Sequence, residues 1–148
     1  MQKPKHKFKL MKRLKLAFIL SAFALITSKA QAQTQTQLNS LNNKYQACLD
    51  KGINMLRCSN LYYKQMDSLL NVVYNRLRIL MNPSEKTLLK NEQLKWLKTR
   101  NAYFKKVDKE NGIGGKEYVG TDFQMIAIDQ KAQFVRNRVV ELMKKLKT

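Results

Sequence analysis

Three residues of one predicted helix have types suited to recognition. Gln93, Trp96 and Arg100 follow one another at steps of three and four, so they share one helix face. A helix that serves only to pack places apolar side chains there. Two interpretations fit. Trp96 and Arg100 form a recognition pair, since both types are enriched at interfaces, or Trp96 fills the core while Arg100 bonds helix-end carbonyls or Gln93.

Residue patterns for catalysis or for holding a cofactor are missing from the sequence. His6 is the single histidine, and it lies in a segment that we expect to be removed, so the commonest general base and metal ligand is lost. No nucleophile stands beside a base, no carboxylates pair on an inward face, and no glycine-rich phosphate cradle follows a strand. We therefore predict a protein that is not an enzyme and that has no cofactor and no metal site.

The first 32 residues have the pattern of a secretory signal. Seven basic residues and no acid occupy the first fifteen positions, and the apolar run 16–26 follows directly. That run is shorter than the roughly 20 residues that a membrane-spanning helix needs. Ala30 and Ala32 supply the small residues that a signal peptidase reads. We predict cleavage before Gln33, a flexible polar lead-in over 33–37, a single domain over 38–148, and a periplasmic or secreted protein that is not an integral membrane protein.

The mature chain is strongly basic. The predicted signal holds eight of the 29 lysines and arginines and none of the ten acids, so 21 basic and ten acidic residues remain, a net charge of +11. Basic residues cluster between Lys98 and Lys106 and in the C-terminal tail. This charge favours anionic polymers such as lipopolysaccharide, acidic wall polymers or nucleic acid. The alternative is that the lysines only keep the outer helix faces in contact with water. The lysines do not alternate with aromatic side chains on which bases could stack, as they do in proteins that bind single-stranded nucleic acid.

Two cysteines remain after cleavage. Cys48 and Cys58 are too few for tetrahedral zinc, which takes four nitrogen or sulfur ligands. Compartments beyond the inner membrane are oxidising. We therefore predict a Cys48–Cys58 disulfide.

The hydrophobic pattern predicts helices along the rest of the chain. A first helix begins near Leu38 and ends at Gly52. Asn54 can cap a second, whose apolar stripe steps by three or four to Leu80. We expect Cys48 and Cys58 to join these two helices across their turn.

Two further helices follow. Asn82, Pro83 and Glu85 form a typical helix start, with a cap, a proline at the first position and an acid at the positive end. Thr121 and Gln124 predict a capping box for the last helix, whose predicted buried face comprises Ile128, Ala132, Val135, Val139, Leu142 and Leu146.

Between these helices lies a glycine-rich loop over 111–120. It carries Tyr118, which is either a partner contact on a loop or part of a simple connection. The fold class predicted is all-α, with one disulfide: a small antiparallel bundle, or a long helical hairpin with flanking helices.

Two segments resemble a known family. NEQLKWLKTRNAYF, residues 91–104, resembles the signature of the LprI-like family, in which tryptophan follows glutamine by three residues and arginine follows by four more. The preceding MDSLLNVVYNRLRILMNPSEKTLLK, residues 66–90, is similar to that family's long helix and turn. The resemblance covers about 46–146, nearly the whole predicted domain.

The sequence departs from the family in its cysteines. Members often have four, of which Cys48 and Cys58 match the first two. Phe104 stands where the third is expected, and the fourth is missing near Gln130. The joint loss suggests that the missing two normally pair with each other, so the last helix here is held by packing alone.

The resemblance implies an exported, non-catalytic binding protein of the cell envelope, similar to a lysozyme inhibitor, whose partner is a muramidase or another envelope protein. Gln93, Trp96, Arg100 and Tyr118 are its candidate contacts. Animal lysozymes of the common type are basic, so a net charge of +11 opposes their approach. Polyanion binding or a purely structural envelope role is the alternative.

Overall fold

The computed structural model describes residues 33–115 and 117–146, and the predicted signal lies outside them. The described residues form four helices: α1 over 33–49, α2 over Met55–Leu80, α3 over Pro83–Glu110 and α4 over Thr121–Lys145. No described residue is in a strand. The predicted all-α class is confirmed.

The start of α1 differs from the expected lead-in. Residues 33–37 are helical, because Thr34 is fully buried and its hydroxyl accepts a hydrogen bond from the Arg76 guanidinium of α2. Gln35 also donates to Asn39 one turn on, at 3.0 Å. The polar composition of residues 33–37 led us to expect a flexible segment, but contacts with α2 hold it in a helix.

The turn between α1 and α2 is closed by the predicted disulfide. Cys48 and Cys58 are bonded, with 5.9 Å between their Cα atoms. Gly52 takes the left-handed conformation, with φ of 66°. Asn54 was expected to cap α2 but makes no side-chain cap bond, because its own φ of 54° departs from the extended conformation that a capping side chain needs.

The core lies mainly between α2 and α4. These helices pack along each other and run in the same direction, since α3 returns the chain between them. Most of the core cluster comes from the two of them, while Leu38 of α1 and Leu89 of α3 complete it. The buried apolar residues are Met66, Leu69, Leu70, Val73 and Leu77 of α2 and Ala132, Val135, Val139, Leu142 and Met143 of α4.

The start of α3 has the predicted cap, whereas the start of α4 does not. Asn82 caps α3 as predicted, and Glu85 also reaches back to the Asn82 backbone N–H, so that the two form a complete capping box with bonds of 3.0 Å and 2.8 Å. The box predicted from Thr121 is wrong, because Gly120 occupies the cap position. The Gln124 side chain donates instead to the Val119 carbonyl, at 2.7 Å.

α3 attaches to the rest of the bundle through large side chains. Only Leu89 and Val107 of this helix are buried, and Gln93, Trp96 and Arg100 lie on the face between them. The residues of that face are half-buried and contact α4 and α2 with rings and long polar side chains. The candidate recognition residues therefore lie at a packed but partly open surface.

Candidate functional site

A buried guanidinium that the sequence interpretation missed organises the predicted motif. The Arg138 side chain on α4 is 2% exposed. Its Nε and Nη2 donate to Gln93 Oε1 at 3.1 Å and 3.0 Å. Its Nη1 donates to Glu92 and Glu141, each at 2.8 Å. Its guanidinium carbon lies 5.8 Å from the centre of the Trp96 ring. Each nitrogen of this buried guanidinium therefore has a hydrogen-bond acceptor.

A signal for Arg138 was present in the sequence. It lies three residues after Val135 and four before Leu142, so it falls on the buried face of α4. A charged residue on an apolar stripe indicates a buried ion pair, because an unpaired charge would be costly there. The partners could not be assigned without the packing of α3.

Glu92 completes this cluster. Burial alone would raise the pKa of its carboxyl, but hydrogen bonds from Lys145 and Arg138 outweigh that effect and hold the pKa below its ordinary value. Glu92 thus joins α3 to α4 as a carboxylate.

Arg100 has different surroundings from those expected. Its guanidinium carbon lies 5.6 Å from the ring centres of both Trp96 and Phe104. It donates to the Asn101 side chain at 3.2 Å and 3.0 Å and lies 3.9 Å from Asp67 of α2. It therefore does not pair with Gln93, which is bound to Arg138. The side chain is 23% exposed, so part of it faces solvent.

Aromatic rings fill the space around these charges. Phe134 of α4 stacks on Trp96 and on Tyr103, with ring centres 5.8 Å and 4.6 Å apart. Phe104 meets Phe134 edge-on at 6.3 Å and reaches Tyr63 of α2 at 6.0 Å. This cluster fixes α3 on both neighbouring helices.

Tyr118 stands apart from this cluster. It is 84% exposed, on the predicted loop, where Gly112 and Gly114 have φ of 71° and 83°. About 20 Å of helix separates Trp96 from the end of α3, at 1.5 Å per residue. The structure therefore brings Gln93, Trp96 and Arg100 together and leaves Tyr118 at one end of the bundle. A cavity of about 300 Å³ lies under the loop, next to Tyr118 and Lys131.

A second polar network joins α1 to α4. The Tyr45 hydroxyl donates to Asp129 Oδ1 at 2.7 Å and lies 3.2 Å from Ser59 Oγ. Burial, together with the nearby Asp129 carboxylate, raises the pKa of Tyr45 to about 12, although the Ser59 bond opposes this. The phenol is thus held neutral.

The match to a family of proteins extends over most of the chain. A family model described as lysozyme inhibitor LprI matches residues 24–142. The chain belongs to the LprI family. No curated protein and no solved structure matches it.

The two positions at which the resemblance led us to expect further cysteines, Phe104 and the region of Gln130, are on α3 and α4. Phe104 contacts α4 at Lys131, whose Nζ is 5.5 Å from the ring centre, and Lys131 directly follows Gln130. Lys131 is also paired with Asp108. Positions 104 and 130 therefore lie close across α3 and α4, and ring packing and an ion pair join the helices there.

The described ranges of this LprI family member contain neither a cluster of metal ligands nor a membrane-spanning helix. Across 33–115 and 117–146, no three His, Cys, Asp or Glu side chains lie together as a metal site would require. Over the same ranges, no helix has both the length and the apolar character to cross a bilayer.

We predict that Arg138→Ala lowers the free energy of unfolding by about 3 kcal/mol, because it leaves Gln93 and Glu92 without their buried partner. Arg100→Ala should cost less than about 1 kcal/mol, since this guanidinium is partly solvated and its ion pair is long. Urea denaturation of both variants measures the difference. Equal losses, or a larger loss for Arg100→Ala, would contradict this assignment.

We also predict that stability falls as the pH rises from 10 to about 12, because the Tyr45 pKa is raised from 10.0 to about 12 in the folded state. Below pH 10 the phenol is neutral in both states. Above it, the unfolded chain loses the proton first, so the free energy of unfolding declines. Tyr45→Phe should show a shallower decline in urea titrations, whereas Tyr118→Phe, which leaves this network intact, should follow the unmodified protein.

Proposed function

We propose that this chain is an exported, non-catalytic inhibitor of a muramidase, and that it contacts the enzyme through the end of the bundle that carries the glycine loop. We call residues 47–60 and 106–126 the loop end. Family membership supports the class of function. The observation that supports this surface is the exposed Tyr118 on a loop that projects from a rigid helical scaffold.

The loop end also reduces the conflict between a basic inhibitor and a basic enzyme. It holds five basic and five acidic residues and is therefore neutral. The opposite end, residues 33–37, 74–92 and 138–146, holds seven basic and three acidic residues. Repulsion falls off within about 8–10 Å at physiological salt, so a basic partner meets the least repulsion at the loop end.

Side chains at the loop end have the chemistry of a protein interface. Tyr118, Phe123 and Ile126 are exposed by 84%, 56% and 43% of their surface. Glu117 and Asp122 are exposed beside them and can pair with basic groups of a partner. Aromatic anchors ringed by polar residues typically carry the affinity of such contacts.

The Gln93–Arg138 cluster has a supporting role in this proposal. Its charges are paired with one another, and its rings are packed between helices. It fixes α3 on α4. It therefore also holds in place the end of α3 and the start of α4, which the glycine loop connects. We therefore place Gln93, Trp96 and Arg100 behind the contact surface rather than in it.

We expect Tyr118→Ala to weaken muramidase inhibition by about tenfold or more, as loss of an interface anchor does. The assay is inhibition of a panel of basic and acidic muramidases at low and high salt. Leu88→Ala is the matched control, because Leu88 is 66% exposed at the opposite end. Full inhibition by Tyr118→Ala would exclude the loop end as the contact, and inhibition of no enzyme in the panel would exclude the function.

A second candidate function is polyanion binding, which the excess of basic residues at the opposite end favours. It predicts salt-sensitive binding of lipopolysaccharide that Lys86→Gln together with Lys90→Gln weakens about threefold or more, whereas Lys51→Gln together with Lys109→Gln at the loop end leaves it unchanged. Lipopolysaccharide pull-down at two salt concentrations measures this. Binding that all four substitutions leave unchanged would contradict it.

A further inference from the structure

A groove of about 650 Å³ crosses the outer face of α4, between α1 and α3. It is separate from Tyr118 and from the basic end of the bundle. We propose that this groove binds a neutral oligosaccharide of pyranose rings. The inference goes beyond the proposed inhibition and does not depend on it.

Two stacked pairs of aromatic rings lie in the groove. Tyr45 of α1 stacks on Tyr62 of α2 with ring centres 4.3 Å apart, and Tyr103 of α3 stacks on Phe134 of α4 at 4.6 Å. Each pair joins different helices, so the rings are fixed before any ligand arrives. Tyr62 is itself buried, whereas the rings of Tyr45, Tyr103 and Phe134 are partly exposed. A pyranose has an apolar face of C–H groups, and partly exposed rings held in place are partners for such a face.

Planar polar side chains surround these rings. Gln133 Nε2 donates to Asn137 Oδ1 at 2.9 Å, which orients both exposed amides. The Gln133 carbonyl oxygen and the Asn137 amide nitrogen remain for a ligand. An amide offers both donors and acceptors, as ring hydroxyls require. Gln46 and Gln130 add two more amides to the lining.

The lining also disfavours other classes of ligand. None of the groove's residues is aliphatic, so its apolar surface comes from aromatic rings and from the stems of polar side chains, whereas a site for a lipid tail or an apolar peptide would have aliphatic side chains. Its charged residues are one acid, Asp129, and one base, Arg136. Asp129 is already bound by the Tyr45 hydroxyl. The groove is therefore neutral on a strongly basic protein, and it matches an uncharged ligand with many hydroxyls.

The fluorescence of Trp96 can report sugar binding in the groove. It is the single tryptophan of the chain, and its ring stacks on Phe134 of the groove. We would titrate the purified exported chain with cellotetraose, maltotetraose and chitotetraose, and with tetragalacturonate as an acidic counterpart. Calorimetry on the same samples detects binding that leaves fluorescence unchanged. Saturable binding of at least one neutral tetrasaccharide, in preference to the acidic one, is expected.

Substitutions then locate the site. Gln133→Ala should weaken binding by roughly threefold to tenfold, the effect of one lost hydrogen bond. Tyr103→Ala should weaken it more than tenfold, and Tyr103→Phe should retain it because the ring remains. Asn91→Ala on the exposed part of α3 is the matched control and should bind like the unmodified chain. Gln133→Ala still tests the site if Tyr103→Ala fails to fold.

Three results would overturn the proposal: no saturable binding of any neutral tetrasaccharide, binding of tetragalacturonate alone, or neutral binding that Gln133→Ala leaves unchanged. Sugar binding by Tyr118→Ala separates this inference from muramidase inhibition. Because Tyr118 lies outside the groove, that variant should bind sugar like the unmodified chain whether or not it still inhibits an enzyme.

Discussion

Pairing of the Arg138 charge constrains how α3 can lie on α4. An arginine on the apolar face of α4 can be buried only if acceptors reach it from another helix. Gln93 and Glu92 supply those acceptors from α3, and Glu141 adds one from the next turn of α4. The register of α3 follows from this requirement. The rings of Trp96, Tyr103 and Phe104 then fall where Phe134 can pack against them.

This arrangement explains why a motif that resembles a recognition surface is half-buried between helices. Gln93 and Trp96 satisfy and cover a buried charge, and Arg100 lies across two rings with part of its surface in solvent. The surfaces proposed for partners are instead the ends of the bundle and the outer face of α4. These surfaces differ in charge, since the loop end and the groove are neutral and the opposite end is basic.

Local patterns in the sequence predicted the features that depend on neighbouring residues. The Asn82 cap, the Cys48–Cys58 bridge and the apolar stripes of α2 and α4 were all predicted from spacing. Two local predictions failed, since neither Asn54 nor Thr121 caps its helix. The other failures depend on tertiary contacts. Residues 33–37 are helical because Thr34 is buried against α2, and the partners of Arg138 lie about 45 residues away on α3. The groove could not be predicted either, because its rings come from four different helices.

The uneven attachment of the helices has a consequence for local unfolding. α1 is tied covalently to α2, and α2 shares most of its core with α4. α3 contributes two buried residues and is held mainly by the Arg138 cluster and by rings. Segments with few buried apolar contacts open at lower free energy than the rest of a fold. By this criterion we expect α3 to detach at a lower free energy than α2 or α4, and because Tyr103 belongs to α3, the groove would then lose one of its rings.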